Sequence, residues 1–121
     1  MKIMNLSENE LRKIAEDLGV PDEVQYQVFL QYYNMVRLVA EKDELNNILE
    51  IGSGFSTVFW GMLSEERNIN VYTLDLSFTN LFEALGGAQY KKYINNINLL
   101  EGLSVSANET INYPNITTGS F

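Results

Sequence analysis

Apolar positions recur at helical spacing over the first third of the chain. Leu11, Ile14, Ala15 and Leu18 fall three and four residues apart, which places them on one face of a helix. Ser7, followed three residues later by Glu10, forms a reciprocal cap that starts such a helix, and Gly19 supplies a left-handed stop. Pro21 suits the first turn of a second helix, with Asp22 and Glu23 near its positive end. Val28, Phe29, Tyr32, Met35, Val36 and Val39 carry that helix onward. Tyr26, Phe29, Tyr32 and Tyr33 share the same repeat, and the spacing reads as a packed face rather than a ligand box.

The texture changes at Asn46-Asn47. Ile48-Leu49-Glu50-Ile51 is a short apolar run that enters the turn Gly52-Ser53-Gly54, as a buried strand does. Val58, Phe59, Met62 and Leu63 then describe a helix packed on one side, with Trp60 as core or edge packing and Glu65 and Glu66 on its solvated face. Ile69 to Asp75 is a second strand, rich in β-branched and aromatic residues. Leu81, Leu85, Tyr90 and Ile94 predict a helix broken at Gly86-Gly87, with Lys91 and Lys92 solvated. Ile97-Asn98-Leu99-Leu100 predicts a third strand. The order β-α-β-α-β predicts an α/β fold with a parallel sheet and right-handed crossovers, preceded by two N-terminal helices. Residues 103–121 are mainly Ser, Asn, Thr and Gly with isolated apolar positions, and the pattern fades there.

Composition narrows the chemistry. The 121 residues suit one domain, and 45% apolar against 20% charged residues is globular usage. Cysteine and histidine are both absent, which excludes disulfides, thiolate nucleophiles, a Ser-His-Asp triad and the usual zinc sites. A formal charge of -8, with the eight cations scattered, disfavours nucleic acid and anionic membrane as partners. The N-terminus lacks an apolar leader pattern and no apolar run reaches membrane-spanning length, so a cytoplasmic protein is expected. Asn5, Asn108 and Asn115 begin glycosylation-type triplets, read as coincidence in an Asn-rich chain.

Residues 48–57 carry the candidate chemistry. A strand delivers Glu50 and then two glycines, Gly52 and Gly54, at a strand-to-helix turn where a ligand can approach the main chain. The helix that follows offers unpaired amides and the positive end of its dipole. Twenty-five residues after Glu50 the second strand ends in Asp75, beside that turn if the strands are neighbours. A carboxylate there can accept both hydroxyls of a ribose. Two cofactor classes use such a turn. Dinucleotide enzymes require a third glycine, but Thr57 stands at that position, and Glu50 would face an anionic pyrophosphate. S-adenosylmethionine has no phosphate and carries sulfonium and ammonium groups that an acidic strand end favours.

Glu50-Ile51-Gly52-Ser53-Gly54-Phe55-Ser56-Thr57 resembles the first motif of class I S-adenosylmethionine-dependent methyltransferases, and Val71-Tyr72-Thr73-Leu74-Asp75 resembles their second-strand motif. The Gly-Phe-Ser-Thr variant is similar to members acting on small-molecule or sugar-type hydroxyls. The resemblance covers about residues 46–102. It implies a Rossmann-like domain in which Gly52, Ser53, Gly54, Phe55, Ser56 and Thr57 form the cofactor turn. Gly52 and Gly54 would face the methionine part, Asp75 would bind the ribose, Glu50 would help place the amino group, and Leu76 would border the adenine. Ser56 replaces the family's third motif glycine, and Leu103, with Ser104 as a weaker candidate, stands where an acidic residue often meets the adenine. The Asn/Asp-Pro-Pro-aromatic motif of amino-methylating members is absent, and no catalytic base or metal ligand is identified.

Only three strands are assigned of a sheet that has six or seven in this family. The expectation is therefore an N-terminal helical cap over residues 1–45 and the N-terminal half of a cofactor domain over 46–121. The third strand would then be an unfinished edge, open to self-association or a completing partner. Two other readings stay open: an NAD(P)- or nucleotide-binding Rossmann oxidoreductase, and a non-catalytic interaction module that keeps the glycines.

Overall fold

The computed structural model describes residues 3–42, 44–85 and 88–102. After a short 3-10 turn at Ile3–Asn5, helix α1 spans Glu8–Asp17. Its start is the reciprocal cap expected of the sequence: Glu10 N–H donates to Ser7 Oγ, and Ser7 N–H donates to the Glu10 carboxylate, both at 3.1 Å. The chain leaves α1 through Gly19 at φ 76°. Helix α2, Glu23–Ala40, is capped by Asp22, whose carboxylate accepts from Gln25 N–H at 2.8 Å. Pro21 therefore lies just before the cap and not in the first helical turn, because the Asp22 side chain takes the capping position.

Strand β1 (Asn47–Ile51), helix α3 (Phe55–Arg67), strand β2 (Asn70–Asp75), short helices α4 (Thr79–Ala84) and α5 (Ala88–Ile94), and strand β3 (Ile97–Glu101) follow in order. The sheet is entirely parallel with strand order β1-β2-β3. It is thus the α/β arrangement predicted by the alternating pattern, consistent with part of a Rossmann-like fold. The expected break between α4 and α5 lies at Gly86-Gly87, outside the described residues.

The register fixes which side chains share a face. Ile48 pairs with Val71, and Val71 with Ile97. All three are buried in one cluster with Val58, Phe59 and Met62 of α3. The same cluster contains Ile14 of α1 and Phe29, Tyr33 and Val36 of α2, so the helices before residue 46 and the α/β unit share one core. Phe29 and Phe59 meet at a centroid distance of 5.1 Å across the α2–α3 packing. Of the aromatic residues on α2, Tyr26, Phe29 and Tyr33 are buried as a packed face, while Tyr32 is exposed.

Three longer ties fasten the layers. Tyr33 Oη donates to Ile3 O at 2.6 Å and accepts from Leu6 N–H at 3.2 Å, which pins the N-terminal segment. Tyr90 Oη of α5 donates to the Asp17 carboxylate at the end of α1, at 2.7 Å, and Gln89 adds a second bond at 3.0 Å. At the α3–α5 crossing Gly61 lies so near Tyr93 that a Cβ there would stand 2.4 Å from its carbonyl oxygen. Among the described residues β1 and β3 each pair only with β2. Among these residues β1 and β3 are therefore the outer strands of the sheet. No helix among the described residues is long and apolar enough to cross a membrane.

Candidate functional site

Parallel pairing brings the carboxyl ends of β1 and β2 side by side, and the turn after β1 is fastened to β2. Gly52 adopts φ 86°, a left-handed conformation that favours glycine, and its N–H donates to Leu74 O at 2.7 Å. Gly54 is extended at φ 174°, so its backbone conformation does not require glycine. A Cβ built at Gly52 or Gly54 meets no heavy atom within 4 Å, and the main chain there is open to close approach. Gly54 N–H donates to Thr57 Oγ1 at 2.9 Å, and α3 begins at Phe55 with no side-chain cap from Gly54.

Asp75, at the end of β2, closes on this turn. Its Oδ2 accepts from Ser53 N–H at 2.9 Å and from Ser53 Oγ at 2.6 Å, while Oδ1 accepts from Leu76 N–H at 2.7 Å. The hydrogen bonds from the Ser53 hydroxyl and amide hold the carboxyl below the ordinary aspartate range. The backbone of Asp75 extends the connection, since its carbonyl accepts from Gly102 N–H at 2.9 Å just after β3. The ends of all three strands are thereby joined at one level.

Glu50 turns the other way. It is the register partner of Thr73, and its Oε1 accepts from Thr73 Oγ1 at 3.0 Å and from Thr57 Oγ1 at 2.6 Å. Ser56 Oγ donates to Oε2. Thr57 and Thr73 are fully buried, so these hydroxyls find their partner in a carboxylate that is itself half-buried at the edge of the sheet. Burial pushes the Glu50 carboxyl up from its ordinary range, against the opposing pull of the three hydroxyls. The group thus bridges β1, β2 and the first turn of α3.

A cleft of about 720 Å³ opens beside the turn. Leu49, Glu50, Ile51 and the turn from Gly52 to Ser56 line one side. Val28, Tyr32 and Met35 of α2 line another, and Asn80, Leu81 and Leu85 complete it around α4. Of the residues singled out from sequence, Glu50, Gly52, Ser53, Gly54, Phe55 and Ser56 border this cleft. Thr57 lies buried behind it, and Asp75 joins it through Ser53. Leu76 is 68% exposed and outside the lining. Leu103 and Ser104 lie outside the described residues.

The sequence reading missed Thr73 and the α2 wall. A threonine on the same strand face as Glu50 in register was a usable signal for Thr73. For α2, apolar residues at Val24, Val28, Met35 and Leu38, beyond the buried stripe, are more than one packed face needs. Among the described residues no Lys or Arg lines the cleft, and no group of three or more Asp or Glu is placed to hold a metal ion. No family model, curated protein or solved structure matches the chain.

Proposed function

We propose that this chain forms the cofactor-binding half of an S-adenosylmethionine-dependent methyltransferase of the class I type. The observation that carries this reading is an exposed glycine turn tied to Asp75, opening on a cleft whose lining, among the described residues, has a carboxylate and no cation. A dinucleotide brings two phosphate charges and would meet Glu50 and Asp75 with no Lys or Arg from the lining to offset them. The sulfonium and ammonium groups of S-adenosylmethionine carry the sign such a site favours.

In this reading the turn from Gly52 to Ser56 approaches the methionine part, and Asp75 accepts the ribose hydroxyls. Glu50 acts through the turn: its carboxylate fixes Ser56 and Thr57 and so shapes the start of α3. When bound, the cofactor supplies an electrophilic methyl group, and the chain's contribution is position and alignment. The acceptor assigned is a small molecule with a sugar-type hydroxyl, in a cytoplasmic setting. The two outer strands, β1 and β3, are where a second copy or a completing partner would extend the sheet.

Calorimetry with S-adenosylhomocysteine and, separately, NAD tests the reading. S-adenosylhomocysteine is expected to bind the wild-type chain more tightly than NAD, and Asp75→Ala is expected to weaken it at least tenfold. Equal or tighter NAD binding would favour the oxidoreductase reading. The absence of any thermal shift with saturating S-adenosylhomocysteine would favour a non-catalytic module.

A further inference from the structure

Ser53 meets Asp75 twice, and the two contacts differ in kind. Its N–H, 2.9 Å from Oδ2, is fixed by the backbone, since the neighbouring Gly52 N–H is held on Leu74 O. Its hydroxyl, 2.6 Å from the same oxygen, sits on a rotatable side chain. A carboxylate offers about four acceptor positions, two on each oxygen. Leu76 N–H takes one position on Oδ1, and Ser53 takes both on Oδ2. A vicinal diol donates two O–H groups and needs a position on each oxygen. As the turn stands, Oδ2 has none to give.

We infer that the Ser53 hydroxyl competes with the ribose diol for Asp75 and so sets the affinity of the site. The inference rests on the cofactor reading above and adds an affinity-determining residue to it. Ser53 Oγ and a ribose hydroxyl are the same donor chemistry aimed at the same oxygen, so binding requires the serine side chain to rotate away. The backbone bond remains when it does, and the turn keeps its shape. Each binding event thus exchanges one charge-assisted hydrogen bond for another, and the gain from the second ribose hydroxyl is largely cancelled.

The test compares Ser53→Ala, Ser53→Thr and the wild-type chain by calorimetry. The probes are S-adenosylhomocysteine and its analogue lacking both ribose hydroxyls. Ser53→Ala is expected to bind S-adenosylhomocysteine about tenfold more tightly, the size of one such bond. With the dideoxy analogue this gain should vanish, and Ser53→Thr, which keeps the hydroxyl, should show less of the gain than Ser53→Ala. A carbon-detected NMR titration supplies a readout independent of ligand: in Ser53→Ala the Asp75 carboxyl should titrate nearer the ordinary aspartate range. If the wild type binds S-adenosylhomocysteine and Ser53→Ala binds it equally or more weakly, the competition is overturned and the cofactor reading stands. An Asp75 titration unmoved by Ser53→Ala also overturns it. Should none of the three chains bind S-adenosylhomocysteine, the cofactor reading itself falls, and this inference with it.

Discussion

Glu50 and Asp75 lie near the carboxyl ends of neighbouring strands, yet their surroundings push their carboxyl groups in opposite directions. Asp75 is held by donors at the surface of the turn, whereas Glu50 is enclosed with three hydroxyls. Because Glu50 is raised from 4.5, the folded chain holds its proton more tightly than the unfolded chain does. Its ionisation therefore lowers stability as pH rises from about 4.5 through the folded value, and the penalty is constant above that. Asp75, lowered from 3.8, contributes stability above that pH and loses it as pH falls through its folded value. Glu50→Gln keeps acceptor and donor positions for hydroxyls that can rotate, and should equal or exceed wild-type stability at pH 7. Glu50→Ala leaves Thr57 and Thr73 without their acceptor in a buried place and should cost roughly 1–3 kcal/mol. Urea denaturation of both variants at pH 4 and pH 7 checks the sign. A Gln variant much weaker than wild type at pH 7 would mean that the charge itself supports the fold.

Among the elements, the packing of α3 against α5 depends on one residue that the apolar pattern does not mark. Gly61 occupies the buried face of α3, between Trp60 and Met62, and has no side chain to count in a hydrophobic repeat. A Cβ there would stand 2.4 Å from Tyr93 O and 2.7 Å from Tyr93 C, both backbone atoms that no rotamer change can move. Gly61→Ala should therefore destabilise the chain by about 1–3 kcal/mol through separation of the helices. This outweighs the gain of up to about 1 kcal/mol that alanine offers in a helix interior. A lowered urea midpoint with unchanged slope is the expected result, and a raised midpoint would show that the crossing is looser than described.

Across the whole molecule, the tie between Asp17 and Tyr90 joins α1 to α5, over 73 residues of sequence. The bond from Tyr90 is the largest influence lowering the Asp17 carboxyl from 3.8, with Lys13 next. Burial, together with the same contact, raises Tyr90 far above an ordinary tyrosine. Tyr90→Phe should lower the urea midpoint at pH 7. The gap from wild type should narrow as pH falls below 3.8, where Asp17 takes up a proton and the bond loses its charged acceptor. A gap independent of pH would assign the effect to packing alone. The tie also gives α1 and α2 a place in the same cooperative unit as the sheet, as the shared hydrophobic cluster does.

The local pattern was sufficient for the elements themselves. Capping at Ser7, the strand-turn-helix at 47–55 and the alternation of strands with helices follow from short-range preferences, and β1, β2 and β3 lie within a residue of their expected limits. The glycine turn and Asp75 were legible for the same reason, since parallel neighbours must end together. Whether a carboxylate faces outward or inward is a matter of partners distant in sequence, and those only the tertiary structure decided. Thr73 and Thr57 enclose Glu50, Ser53 engages Asp75, and Tyr93 makes Gly61 obligatory. The wall that α2 adds to the cleft belongs with them. A helical repeat records which face of α2 is apolar, while only the packing against α3 records which part of that face is left uncovered.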